Sequence, residues 1–209
     1  MYPNIDTNRR NQYFNISKFN SDLTKSVSDL AVIHININSL FPKLDHFLAL
    51  IGQLTVKFDV LCFTECRLTE STKNLVKIQG YNVFHCLREN GLSGGGITVF
   101  VRCDFEINEI PQCTISNETI ESLFLRVSKS TCNFTVGTMY KPPDVHKSNF
   151  IETFQQFYQS LELRDKQNLI LCGDFNINLL QSASDDFKEM LQTICLIPMI
   201  SQPTRIATC

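Results

Sequence analysis

Residues 170–178 read Ile-Leu-Cys-Gly-Asp-Phe-Asn-Ile-Asn, and this stretch indicates both the fold and the position of a site. The apolar run from Leu169 to Cys172 has the length and composition of a buried strand. It delivers Asp174 and Asn176 to the end of that strand, which is where ligands bind in open α/β sheets. An acidic residue there suggests chemistry, although Asp and Asn are also favoured in a simple turn.

The first third of the chain has the pattern of a β-helix-β unit. Residues 31–37 and 58–63 are apolar β-like runs, and between them Pro42 opens a helical pattern with Leu44, Phe47, Leu48 and Ile51 on one face. Such a unit is typical of a layered α/β domain.

The middle of the chain changes to short strands separated by turn residues. Helical periodicity returns after residue 149, with Asn149 and Glu152 in capping-box spacing, and again near residues 185–191. Gly94-Gly95-Gly96 predicts a tight turn. The strands predicted in this region are 81–86, 96–102, 105–110, 122–127 and 134–140.

The 209 residues suit one sizeable domain, which we place at residues 30–209. Residues 1–29 are polar and Asn-rich, and we expect a poorly ordered leader there. That segment has no apolar signal region, and no stretch approaches the roughly 20 apolar residues of a membrane helix. The nine cysteines include no C-x-x-C pair, which favours reduced thiols. We therefore expect an intracellular protein, cytoplasmic or nuclear and not secreted, with no membrane partner.

Polar side chains close several of the predicted strands, and strand ends gather in space when strands are neighbours. Two carboxylates, three amides and a phenol at one rim suit Mg²⁺, which binds oxygen ligands at about 2.1 Å while keeping waters. Each residue also has a simpler interpretation: Glu65 as a solvated side chain, Tyr140 as a packing residue, Asn36 as a structural cap. The residues in question are Asn36, Asn38, Glu65, Tyr140, Asp174 and Asn176.

Five segments, in order, resemble motifs of the endonuclease/exonuclease/phosphatase superfamily. Their sequences are most similar to those of the endonuclease domains of LINE-type (non-LTR) retrotransposons. Pro203-Thr204-Arg205 after a helix fits that branch too. The resemblance covers residues 30–209. The five segments are His34-Ile35-Asn36-Ile37-Asn38-Ser39-Leu40, Thr64-Glu65-Cys66-Arg67-Leu68, Gly94-Gly95-Gly96-Ile97, Tyr140-Lys141-Pro142-Pro143 and Gly173-Asp174-Phe175-Asn176.

The resemblance implies a four-layer α/β sandwich, two mixed β-sheets flanked by helices, lacking its last strands. It implies that Glu65 is the principal metal ligand and that Asn36 contacts the metal or the phosphate. Asp174 would act as the base on the attacking water, Asn176 would hold that water or the phosphate, and Tyr140 would hydrogen-bond the phosphate. The implied cofactor is Mg²⁺, with Mn²⁺ as the alternative and no small-molecule cofactor.

The family pattern ends with an Asp on a later strand and a terminal Ser-Asp-His, and neither occurs in this sequence. None of the chain's histidines follows an Asp in the required place: these are His34, His46, His85 and His146. Acid–base and orienting groups of this kind contribute about 10² to 10⁴-fold each. The 209-residue chain is therefore expected to be nearly inactive.

The function that the resemblance implies is Mg²⁺-dependent nicking of target DNA, with the DNA phosphate backbone as partner and a reverse transcriptase domain in the intact polyprotein. The alternative is a non-catalytic retroelement remnant that retains only the fold. A phosphatase acting on inositol phosphates or sphingomyelin is less favoured by the motif wording. The net charge of −2 gives no global nucleic-acid signature, but it is compatible with a local basic groove.

Overall fold

Two mixed β-sheets form the centre of the protein in the computed structural model, which describes residues 13–26, 29–88, 94–130, 132–200, 202 and 204. In the first sheet the strand order is β1-β2-β4-β3, with β1 parallel to β2 and the other pairs antiparallel. Its strands are β1 (Val32–Asn36), β2 (Val60–Thr64), β3 (Tyr81–Cys86) and β4 (Ile97–Arg102).

The second sheet has the order β5-β7-β8-β9, with β6 paired to β7. Here β8 and β9 are parallel and the remaining pairs are antiparallel. Its strands are β5 (Glu106–Glu109), β6 (Ile115–Ser116), β7 (Glu121–Lys129), β8 (Cys132–Tyr140) and β9 (Leu169–Asp174).

Helices cover the outer face of each sheet. Within the described residues they are α1 (Ile16–Asp22), α2 (Leu44–Ile51), α3 (Lys147–Ser160), α4 (Leu163–Gln167) and α5 (Asp185–Thr193). Phe47 of α2 packs with Phe63 and Phe100 outside the first sheet. Phe150 and Phe187, from α3 and α5, pack with Phe124 outside the second.

A third apolar cluster lies between the two sheets, and strand β2 shows how the layers arise. Val60 and Cys62 belong to the inter-sheet cluster, whereas Leu61 and Phe63 belong to the outer cluster with α2. Because successive side chains of a strand point to opposite faces, a continuous apolar run is what a strand buried on both sides needs. The predicted four-layer α/β sandwich is confirmed.

Two helix starts differ from the sequence-based prediction. Helix α3 begins at Lys147 and His146 is its N-cap, since the His146 side chain accepts a hydrogen bond from Ser148 N. The predicted capping box at Asn149 is therefore wrong, and Asn149 lies inside the helix. Pro42 lies in a 3₁₀ turn, Phe41–Lys43, and α2 follows it at Leu44.

The segment expected to be a poorly ordered leader contains helix α1 in its described part. Asn15 caps this helix by accepting a hydrogen bond from Lys18 N at 2.8 Å. Phe19 packs on the outer apolar cluster of the first sheet, next to Phe58. Asn20 adds hydrogen bonds to Gln53 O and from Thr55 N, both at 2.8 Å, so contacts with the first sheet's helical layer stabilise a helix that its own periodicity does not predict.

The described helices are short. The longest is α3, with 14 residues, and no helix in the part of the chain described here is long and apolar enough to cross a bilayer.

Candidate active site

The site lies where two parallel strand pairs, one from each sheet, end side by side. In the first sheet Asn36 is opposite Thr64, and Glu65 follows directly. In the second sheet Tyr140 is opposite Asp174. The carboxyl ends of parallel strands share an edge of their sheet, so these polar residues meet in the crevice where α/β folds bind ligands.

Asn36 joins the two sheets at this point. Its side-chain nitrogen Nδ2 lies 2.7 Å from Glu65 Oε1 and 2.6 Å from Asp174 Oδ2. An amide nitrogen carries two hydrogens, and here each is donated to one carboxylate. The two carboxylates therefore converge on a single atom, and Asn36 Oδ1 takes no part in these two bonds.

Glu65 has a backbone φ of +53°, a conformation that residues other than glycine rarely adopt. Such a conformation costs about 1–3 kcal/mol and persists where surrounding contacts enforce it. Three backbone hydrogen bonds do so: Ser39 N donates to Glu65 O at 2.8 Å, Cys66 N to Gly96 O at 3.0 Å, and Arg67 N to Gly95 O at 2.9 Å.

Asp174 is oriented by the turn that follows β9. Asn176 N donates to Asp174 Oδ1 at 3.1 Å, and Lys141 N donates to the Asp174 carbonyl at 3.0 Å. The Asn176 side chain donates through Nδ2 to Lys141 O at 2.8 Å, so its amide nitrogen anchors the turn. One oxygen of Asp174 is thus fixed by its own turn, and the other faces Asn36.

Gly173 permits the close approach of β9 to β8 immediately before Asp174. A Cβ at this position would lie 1.9 Å from the carbonyl oxygen of Met139, which is backbone and cannot move aside. The Gly of the Gly-Asp-Phe-Asn motif is therefore required by the strand pairing that places Asp174.

We expect Gly173→Ala to lower the free energy of unfolding by at least about 1–3 kcal/mol, the usual cost of forced overpacking. Urea unfolding followed by circular dichroism measures this. Gly80→Ala is the matched control, because Gly80 also has positive φ but a Cβ there meets open space. Equal losses in the two variants would show that the clash with Met139 is unimportant.

Tyr140 is almost fully buried beside the carboxylates. Burial raises the pKa of its phenol, and the nearby charges of Glu65, Glu121 and Asp174 raise it further. The hydroxyl therefore stays protonated at neutral pH and is suited to donate a hydrogen bond.

Two basic side chains beside the site have lowered pKa values. Burial lowers the pKa of His34 to about 4, with the charge of Asp174 acting in the opposite direction, and His34 Nε2 lies 3.2 Å from Thr64 Oγ1. Burial also lowers the pKa of Lys141, whose Nζ donates to Pro142 O at 3.0 Å. His34 is neutral at pH 7 and behaves as the satisfied core histidine that its place in an apolar strand suggests.

The structure brings Asn36, Glu65 and Asp174 into direct contact and places Tyr140 and Asn176 next to Asp174. Asn38 has a different environment. It turns with φ of +47°, and its carbonyl accepts a hydrogen bond from Lys43 Nζ at 2.7 Å.

Glu121 is the residue near the site that sequence analysis missed. It is fully buried at the start of β7, opposite Tyr140 in the strand register. The signal was available, because Glu121 is a charged residue that opens the apolar run Leu123–Leu125, and a buried charge needs partners.

The donor set fits a hard divalent cation that keeps most of its waters. Among the described residues there is no cluster of three or more His, Cys, Asp or Glu side chains placed to hold a metal. Two carboxylates and an amide are present instead. Mg²⁺ is often bound through one or two carboxylates, with water completing its shell.

Comparison with known proteins gives one family and several structures. The model of the Endonuclease/Exonuclease/phosphatase family matches residues 33–193 of this chain. That range includes Asn36, Glu65, Tyr140, Asp174 and Asn176. The curated proteins include no significant match.

Three solved structures share the fold. The endonuclease domain of TRAS1, a telomere-specific non-LTR retrotransposon, has a TM-score of 0.61 and 16% identity, covering 79% of this chain and 72% of that one. D. rerio TDP2 complexed with a single-strand DNA product has a TM-score of 0.53 and 16% identity, and the match covers 81% of this chain and 66% of that one. ANGEL2, a 2',3'-cyclic phosphatase, has a TM-score of 0.54 and 16% identity, and the match covers 77% of this chain and 56% of that one.

Proposed function

Because the chain belongs to the endonuclease/exonuclease/phosphatase family, we propose that it is a divalent-cation-dependent phosphodiesterase that nicks DNA through Asn36, Glu65 and Asp174. The observation that carries the proposal is the Asn36 amide nitrogen, which lies within 2.7 Å of an oxygen of each carboxylate. Members of this family generally use divalent metal ions. We propose Mg²⁺ here, with Mn²⁺ as the alternative.

Glu65 is the proposed principal ligand. Its carboxylate is partly exposed, with the side chain 19% accessible, and its backbone is fixed on both sides by hydrogen bonds. A fixed ligand that is open to water suits a cation that enters with its hydration shell. Asn36 would contribute Oδ1 to the cation or to the phosphate. When bound, the cation supplies charge stabilisation at a phosphoryl oxygen.

Asp174 is the proposed base. The attacking water forms a bond to phosphorus, and Asp174 accepts the proton that the water loses. The bond from phosphorus to the sugar oxygen breaks, its electron pair stays on that oxygen, and the oxygen takes a proton from solvent. The hydrogen bond from Asn176 N to Asp174 Oδ1 fixes the orientation of the carboxylate, and therefore the direction from which a water can approach it. Positioning of this kind is what general-base catalysis requires before any adjustment of pKa.

Tyr140 is the proposed donor to the scissile phosphate. Since its pKa is raised, the phenol carries its proton throughout the physiological range. A buried donor aimed at developing negative charge stabilises a transition state more than a solvated one does. Asn176 is proposed to hold the water or the phosphate through Oδ1, because its Nδ2 already donates to Lys141 O.

DNA is the proposed substrate because of the sequences of the motifs and because of two structural relatives. TRAS1 is a retrotransposon endonuclease, and TDP2 was solved with a DNA product. The Tyr-Lys-Pro-Pro segment is most similar to the retroelement branch, for which target-site nicking and a reverse transcriptase in the same polyprotein are proposed. The alternative is a protein that keeps this fold without turnover.

Nicking of supercoiled plasmid tests the proposal. At high protein concentration in Mg²⁺, the 209-residue chain is expected to nick slowly, and EDTA or Asp174→Ala is expected to remove the activity. Asp45→Ala is the matched control, because Asp45 is an exposed carboxylate in the first turn of α2. Nicking that is equal in wild type and Asp174→Ala would exclude this site as its source and support the fold-only alternative.

A further inference from the structure

Glu121 links the two sheets directly behind the candidate site. It belongs to β7 of the second sheet, and its Oε2 accepts a hydrogen bond of 2.6 Å from Gly96 N, immediately before β4 of the first sheet. The carboxylate is fully buried. A hydrogen bond to a buried charged group is among the stronger ones in proteins, and removing one partner leaves the other uncompensated.

The environment of Glu121 is built around this contact. Arg88 Nε lies 3.1 Å from Glu121 Oε1, at ion-pair distance, although these two atoms do not have hydrogen-bond geometry. A Cβ on Gly95 would lie 2.3 Å from the same oxygen, so only glycine leaves room for the carboxylate. Gly95 has φ of +71° and Gly96 of +82°, conformations that glycine adopts without strain.

The glycine turn, to which Glu121 binds at Gly96, contacts the loop of Glu65. Gly96 O accepts from Cys66 N, and Gly95 O accepts from Arg67 N. These are the two amides immediately after Glu65, whose own backbone is strained. One hydrogen bond therefore joins Glu121 to the glycine turn, and two join the turn to the residues that follow Glu65.

The same residue is connected to the other half of the site. Glu121 is opposite Tyr140 in the register of β7 and β8, and Tyr140 is opposite Asp174 in the register of β8 and β9. Glu121 is thus related to Asp174 through the paired strands β7, β8 and β9. It is related to the loop of Glu65 through its side chain.

We propose that Glu121 is a positioning residue of the active site, which sets the separation of Glu65 from Asp174 by fixing the Gly95-Gly96 turn across the two sheets. The proposal rests on the proposed function in taking Glu65 as the principal cation ligand and Asp174 as the base. Glu121 does not touch the substrate or the cation. Its effect reaches the chemistry through the main chain of residues 65–67.

The first test is amide hydrogen exchange of Cys66 and Arg67, which needs no activity. Glu121→Ala is expected to speed the exchange of both amides at least tenfold, because their acceptors are no longer fixed. Asp165→Ala is the matched control: Asp165 is a buried carboxylate of α4, paired with Arg126 of β7 at 2.6 and 2.8 Å, and Arg126 lies opposite Thr135, away from the Tyr140 end of β8. The Asp165→Ala variant is expected to be less stable than wild type, but the exchange rates of the Cys66 and Arg67 amides are expected to stay unchanged.

Two further variants separate the contact from general destabilisation. Glu121→Gln keeps an oxygen that accepts from Gly96 N, so its exchange rates are expected to stay within a few-fold of wild type even if Glu121→Ala fails to fold. Gly95→Ala keeps the carboxylate but displaces it, and is expected to reproduce the faster exchange. Gly80→Ala controls for positive φ without a clash.

The second test is Mg²⁺ affinity by titration calorimetry, with the full chain. Residues that orient metal ligands typically contribute 10–100-fold to affinity, and we expect at least a tenfold loss in Gly95→Ala and less in Glu121→Gln. Exchange of Cys66 and Arg67 that is the same in Glu121→Ala, Glu121→Gln and Asp165→Ala would overturn the proposal. A wild-type chain that binds no cation would overturn the proposed function, and the exchange experiment would still decide the role of Glu121.

Discussion

A chain extended by a family-like segment ending in Ser-Asp-His is expected to nick supercoiled plasmid orders of magnitude faster than the 209-residue chain. Asp174 and the proposed cation supply a base and a charge, but cleavage also requires stabilisation of the charge that develops on the phosphoryl oxygens. The resemblance assigns part of that work to a terminal His and the Asp that orients it. Acid–base groups contribute about 10² to 10⁴-fold, which sets the size of the expected gain.

The control for this gain is the same extension with the His of its Ser-Asp-His replaced by Ala. It is expected to restore little of the rate, and Glu65→Ala or Asp174→Ala is expected to abolish the gain in the extended chain. Robust, EDTA-sensitive nicking by the unextended chain, lost in Asp174→Ala, would show that the histidine is dispensable. An extended chain with no activity would favour a protein that retains only the fold.

Asn36→Asp is expected to make the stability of the protein depend on divalent cations. Asn36 now donates one hydrogen to each of Glu65 and Asp174, and a third carboxylate in its place would replace two favourable contacts with repulsion. The variant is expected to lose about 1–3 kcal/mol in EDTA, seen as a thermal midpoint several degrees below wild type. Millimolar Mg²⁺ is expected to recover most of the loss, because the cation neutralises the cluster.

The matched control for this change is Asn82→Asp, an exposed Asn-to-Asp substitution within strand β3 and away from the site. Its midpoint is expected to be close to wild type with or without Mg²⁺. If Asn36→Asp were as stable as wild type in EDTA, the Asn36 hydrogen bonds would not be what holds the two carboxylates together.

Much of the fold follows from local patterns, and strand β2 shows why. The sequence Val60-Leu61-Cys62-Phe63 places apolar side chains on both faces of the strand, which is the pattern of a strand between two layers. The same logic locates the site, since Asn36 and Asp174 both end such strands. The parallel pairing of β1 with β2 places Asn36 beside Thr64 and Glu65, as the β-helix-β pattern predicts. The approach of Asp174 to Asn36 depends instead on the packing of one sheet on the other.

The features that local patterns do not reveal depend on distant contacts. Glu121 is separated from Gly96 by 25 residues, and only the packing of one sheet on the other makes their contact visible. Helix α1 is stabilised by Phe19 against the first sheet, so its own composition gives little sign of it. The start of α3 at Lys147 depends on His146, a residue that is not among the common caps.

The most direct test of the account is calorimetric titration of Mg²⁺ into the wild-type chain, Glu65→Gln and Asp174→Asn, with Asp45→Asn as the control. One binding site per chain is expected, weakened at least tenfold in Glu65→Gln, which removes the proposed principal ligand, weakened less in Asp174→Asn, and unchanged in the control. Binding of equal affinity in wild type and Glu65→Gln would contradict this, because the cation would then be held somewhere other than at Glu65.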